Sequence, residues 1–245
     1  METEVIEELS KMLHGRGVVS IEEIERKAIR AALRSLGESA LKVDKEFIST
    51  IISSFIECPI SFKSLHFSEE VELNGVKFYH MHTYKPKAED FEEAFREYEI
   101  SKLYLERLNE MIGITDRFFN GYTASGYVLR EYKRDKYRYL VFYSTIDDVC
   151  NDIEYHLKLS ESISGEYVVV VTTESSCRPF YKFYKNFSED VKKANMKIWV
   201  ANTYSMTIDP FIGYPKDFTL LKGFKNPKLA SIIGSYWRVK VEKID

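Results

Sequence analysis

The chain has 245 residues, 44% hydrophobic and 30% charged, with a formal net charge of -3. That is enough apolar side chain to bury a core, which excludes global disorder. No apolar run reaches the roughly 18 residues of a membrane span, and the acidic start at Met1-Glu2 does not read as a secretory signal, so a cytoplasmic protein without a membrane partner is expected.

The charge is unevenly spread. Residues 1–84 carry 10 Lys/Arg against 14 Asp/Glu, residues 85–177 carry 12 against 18, and residues 178–245 carry 13 against 6. Positive charge therefore collects in the last quarter, where a polyanion would be drawn.

In chain order, Val5, Ile6, Leu9, Met12 and Leu13 stripe one face of a helix that stops at Gly15. Gly17 to Val19 is a short extended stretch. Ser20 then opens a second helix, to Leu36, with Glu23 placed to reach back in a capping box. A third helix opens near Asp44, carries Phe47, Ile48, Ile51, Ile52, Phe55 and Ile56, and ends at Pro59. Asn74-Gly75 between Val71–Leu73 and Val76–Tyr79 predicts a tight hairpin. Helix, short strand, helix, helix, hairpin is the order of a winged helix. A long helix follows from Pro86 to Ile112, with Gly113 as its stop. Its Phe91, Tyr98, Leu105 and Ile112 recur every seven residues and offer a homodimer seam over 87–112, which Lys102 and Asn109 interrupt.

Tyr127–Glu131 and Tyr137–Tyr143 then straddle Arg134-Asp135-Lys136 as an antiparallel pair, before a helix from Ile146 to Leu159. Strands at Glu166–Thr173 and Met196–Ala201, apolar on both faces, flank a helix striped by Phe180, Phe183, Tyr184, Phe187 and Val191. Pro210–Lys228 reads as a loop before a helix at Leu229–Ile233 and a last strand at Tyr236–Val241. The expected organisation is an α+β winged-helix-like domain over 1–84, a linking helix over 85–112, and a three-layer α/β domain over 113–245. The last has a mixed, partly parallel sheet and a basic C-terminal region.

Three sets of residues carry candidate chemistry. Arg26, Lys27, Arg30 and Arg34 share one side of the second helix. Arg178, Lys182, Lys185, Lys192 and Lys193 interleave with aromatics in the most basic region. Both series suit phosphates of duplex DNA. Alternatively, the first series pairs with Glu22, Glu23 and Glu25. Asp116 followed by Glu131-Tyr132-Lys133 resembles the D…ExK spacing of the PD-(D/E)XK nucleases, and the resemblance implies two carboxylates on a Mg²⁺ ion with a lysine orienting water. No Pro precedes Asp116, which is expected in a loop beyond Gly113, and the three are expected not to complete a metal site. Ser144, Thr145, Thr173, Ser175, Ser176 and Asn202 would converge at the carboxyl ends of parallel strands, as ligand-binding residues for a small anion or as plain helix caps.

Cys58, Cys150 and Cys177 have no paired spacing. Neither a Cys177 thiolate nor a zinc site from Cys58, His66, His80 and His82 matches a known pattern. Gln is absent, as in thermophile proteins that avoid labile amides. The first function expected is a DNA-binding regulator or adaptor without a cofactor. A metal-dependent nuclease and an anion or nucleotide sensor are the alternatives.

Overall fold

The computed structural model describes residues 1–56, 67, 69–81 and 84–224. It divides into two compact units, Met1–Glu106 and Arg107–Asp245. Among the described residues no helix is long and apolar enough to cross a membrane. Pro59, Cys58, His66, His82, the Leu229–Ile233 helix and the Tyr236–Val241 strand lie outside the described residues.

Unit 1 runs α1 (Glu2–Met12), β1 (Val18–Ser20), α2 (Ile21–Leu36), a 3₁₀ turn (Gly37–Lys42), α3 (Lys45–Ile56), β2 (Glu69–Leu73), β3 (Val76–His80) and the first half of α4 (Ala88–Phe118). Val5, Leu9, Ile24, Ala28, Ile48, Ile51 and Phe55, one stripe from each of α1, α2 and α3, are buried. Ser20 caps α2 by accepting the Glu23 amide. The other half of the expected box is replaced: the Glu23 carboxylate takes Arg16 and Lys27. The three strands are antiparallel in the order β1-β3-β2. Asn74 and Gly75 both have positive φ, 53° and 77°, as the two-residue turn requires. Phe78 of β3 meets Phe91, Phe95 and Tyr98 of α4 edge-on, with ring centroids 6.2, 4.7 and 6.2 Å away. Two of the seven-residue positions, Phe91 and Tyr98, thus pack on this unit's own hairpin.

The helix stop expected at Gly113 does not occur, because α4 continues to Phe118. A helical Gly costs about 1 kcal/mol against Ala, less than the roughly 2–3 kcal/mol from burying a side chain such as Phe119 just beyond it.

Unit 2 contains a six-stranded mixed sheet ordered β4 (Thr123–Ser125), β5 (Leu129–Arg134), β6 (Tyr137–Ser144), β7 (Glu166–Thr172), β8 (Lys197–Asn202) and β9 (Thr207–Ile212). β6, β7 and β8 are parallel, and the outer pairings are antiparallel. The crossovers are α5 (Ile146–Asn151) with α6 (Ile153–Ser162), where one helix was expected, and α7 (Arg178–Lys193). One sheet face carries the end of α4, with Phe119 stacked on Tyr132 at 4.3 Å and Phe118 against Trp199 at 5.5 Å. The other carries α6, whose His156 meets Phe142 and Tyr167, and α7, whose Phe180 and Phe183 meet Phe211.

The loop expected from Pro210 is partly strand. Pro210 lies inside β9 at the sheet's edge, where a missing N–H is tolerated, beside a register shift at Ile198/Trp199. A 3₁₀ turn (Phe218–Gly223) closes the described chain, with Phe224 bridging to Ile208.

Candidate nucleic-acid interface

The α2 stripe is not presented to solvent. Arg26, Lys27 and Arg30 are 4%, 9% and 8% exposed. Arg26 Nη2 donates to Glu97 Oε2 at 2.8 Å, Lys27 Nζ to Glu23 Oε1 at 2.7 Å, and Arg34 Nε lies 3.1 Å from Glu8 Oε1. Arg16 completes the network with a fork onto Glu23 at 3.0 and 3.1 Å and a contact to Glu93. Burial opposes the Arg16 charge, but Glu23, Glu93 and Glu97 outweigh it and raise its pKa. Buried cations need partners, and of the three first-turn acids Glu23 takes part, together with acids from α1 and α4. The stripe read as a phosphate contact is therefore an internal ion-pair network.

The α7 series divides. Phe180 and Phe183 are buried, which turns Arg178, Lys182 and Lys185 outward. These three are spaced i, i+4, i+7 on one face and exposed, with no carboxylate partner among the described residues. The first turn of α7 holds no acidic residue, and its N-cap Cys177 makes no side-chain cap. Lys192 and Lys193, two turns further on, pair with Glu189 at 3.1 Å and Asp190 at 4.0 Å.

Parallel strands bring Ser144, Thr173 and Asn202 to one sheet edge. There Thr145 caps α5 through the Asp148 amide, Ser176 Oγ accepts the Arg178 amide at 3.2 Å, and Asn202 Oδ1 accepts the amides of Tyr204 and Ser205. Ser144 is buried and Ser175 is exposed. Arg107 Nη1 donates to the Thr173 carbonyl at 3.2 Å, and Glu174 beside it has its pKa raised by burial. Local capping thus occupies Thr145, Ser176 and Asn202.

The D…ExK residues are not brought together. Asp116 is on α4 and takes a fork from Arg130 at 2.9 and 3.0 Å and the Tyr132 hydroxyl at 2.5 Å. Alternation along β5 puts Arg130, Tyr132 and Arg134 on that face, whereas Glu131 sits on the opposite one and accepts Arg138 Nε at 2.6 Å. Lys133 is exposed on the Glu131 face. One ion cannot span the sheet to reach both carboxylates, so the resemblance in spacing does not extend to geometry. Among the described residues no group of three His, Cys, Asp or Glu is placed to hold a metal ion.

Sequence reasoning missed the polar group beside this sheet. Asp217 is buried and receives Tyr122, Arg134 and Thr219. The alternation of Arg130, Tyr132 and Arg134 was its only signal.

The family model described as Domain of unknown function (DUF6834), C-terminal domain, matches residues 97–226, more than half of the chain. The chain belongs to this family. The DUF6834 stretch begins within α4 and takes in the whole six-stranded sheet. A second model, Domain of unknown function (DUF6846), matches residues 4–95, the helices and hairpin of unit 1. No curated protein matches the chain.

Proposed function

We propose that this protein binds nucleic acid, duplex DNA first, as a regulator or adaptor, through the outer face of α7. The supporting observation is that Arg178, Lys182 and Lys185 form one exposed stripe without carboxylate partners among the described residues. It begins in a first helical turn that holds no acidic residue, where the backbone dipole adds to the positive potential. Unit 1 contributes a winged-helix-like module in this reading. The order of its elements and the β1-β3-β2 sheet support that assignment, with Ser49, Thr50 and Ser53 exposed along α3. Its hairpin carries Glu69, Glu70 and Glu72 against Lys77 and would repel phosphate, which favours α7 as the polyanion contact.

Three neutralised phosphates give a log-log salt slope of about -2.7. Duplex affinity, read by fluorescence anisotropy, is therefore expected to fall about 40-fold between about 50 and 200 mM salt. Arg178→Glu with Lys185→Glu should weaken binding and flatten the slope. No binding at low salt, or a slope unmoved by the double substitution, would sink the proposal.

A further inference from the structure

We propose that the groove at the amino ends of the parallel strands of unit 2 binds a nucleoside phosphate, with Tyr214 and Phe218 holding the base and Lys192 and Lys216 the phosphate. β8 begins at Lys197 and β9 ends at Ile212, and the loop after β9 lines an open groove of about 620 Å³. That size falls within the span of small-molecule sites. Its walls include Lys192, Lys197, Tyr214, Pro215, Lys216 and Phe218.

Two features distinguish this groove from ordinary surface. The first is a pair of exposed aromatics on a pinned loop. Phe218 is 78% exposed and Tyr214 38%, four residues apart on the same loop. The loop is held at both ends. Trp199 Nε1 donates to the Gly213 carbonyl at 3.0 Å, and the buried Asp217 accepts the Thr219 amide at 3.0 Å and its hydroxyl at 2.7 Å, together with Tyr122 and Arg134. Gly213 has φ +69°, and a Cβ there would lie 2.9 Å from Lys197 Cγ, so the lysine stem closes directly on the loop backbone. The aromatics are thus presented with little ordering left to lose on binding.

The second feature is charge. Lys197 and Lys216 share one carboxylate, Glu166, the latter at 3.2 Å, while Lys192 makes a solvent-exposed pair with Glu189. Cations thus outnumber acids around a pair of flat apolar faces. Stacking on an aromatic and a contact to an anion together describe a nucleoside phosphate. The groove lies at the opposite end of the strands from Ser144, Thr173 and Asn202. It uses none of Arg178, Lys182 and Lys185, so it does not rest on the DNA reading.

Titration calorimetry of the full chain with AMP, adenosine and inorganic phosphate tests it. AMP is expected to bind at one site, with adenosine and phosphate each at least about tenfold weaker. Phe218→Ala should weaken AMP about tenfold, Phe218→Tyr should keep most of the affinity, and Lys216→Ala should weaken AMP about fivefold. Both positions are exposed, and circular dichroism should be unchanged for all three variants. Absence of AMP binding at millimolar concentration, adenosine binding as tightly as AMP, or AMP binding unmoved by Phe218→Ala would each overturn the proposal.

Discussion

Glu23→Ala is the substitution to which unit 1 should be most sensitive. The carboxylate is fully buried and accepts three hydrogen bonds, from Arg16 Nε at 3.0 Å, Arg16 Nη2 at 3.1 Å and Lys27 Nζ at 2.7 Å. Removing it strands two cations that are themselves buried, and breaking such a pair costs about 3–5 kcal/mol. Arg16 keeps Glu93, and Lys27 keeps Glu97 at 3.8 Å, which puts the expected loss at the lower end, about 3 kcal/mol. For a chain of this size that lowers Tm by about 6–12 °C. Differential scanning calorimetry reads the shift, with exposed Glu46→Ala as a control that should stay within about 0.5 kcal/mol. A Glu23→Ala loss under about 1 kcal/mol is what a solvated surface pair would give. It would refute the internal network and return the α2 stripe to the surface.

Phe78→Ala should remove the contact that holds α4 on the hairpin through Phe91, Phe95 and Tyr98. A loss of about 3–5 kcal/mol by chemical denaturation is expected, and a loss under about 1 kcal/mol would mean that the aromatic cluster does not form. Burial raises the pKa values of Tyr132, Tyr139, Tyr143 and Tyr167, with Asp116 and Tyr143 adding to the effect at Tyr132. Above about pH 10 the unfolded chain releases these protons while the native chain keeps them. The unfolded state then binds fewer protons, so stability must fall as pH rises from there. Absorbance at the tyrosinate band should show these four rings silent until the fold is lost, and full tyrosine titration with native circular dichroism retained would contradict their burial.

Local chemistry was the most legible part of the fold. Ser20 before α2, Asn74-Gly75 in the hairpin and the apolar strands around Val168 and Trp199 each have one backbone solution, and the structure adopts it. Contacts between distant segments were not legible. Periodicity along α2 correctly put four cations on one side, but whether that side meets water depends on Glu97, which lies 71 residues beyond Arg26. At Gly113 and Pro210 the local stop signals were real, yet tertiary burial and an edge position overrode them. For the nuclease-like spacing the period of two along β5 set Glu131 and Lys133 on one face. What no spacing could show was that Asp116 would lie across the sheet from them.

The margins of the six-stranded sheet bear on how the protein behaves when concentrated. An unpaired strand exposes N–H and C=O groups that can recruit another chain's strand and seed aggregation. At one margin β4 is three residues long, Thr123–Ser125, too short to template much pairing. At the other, Pro210 removes a donor, the register shift at Ile198/Trp199 skews the ladder, and Phe224 bridges to Ile208 on the outer side. Short length at one margin and a proline, a register shift and a bridging segment at the other disfavour edge-to-edge pairing of a sheet with a hydrophobic four-valine strand at its centre.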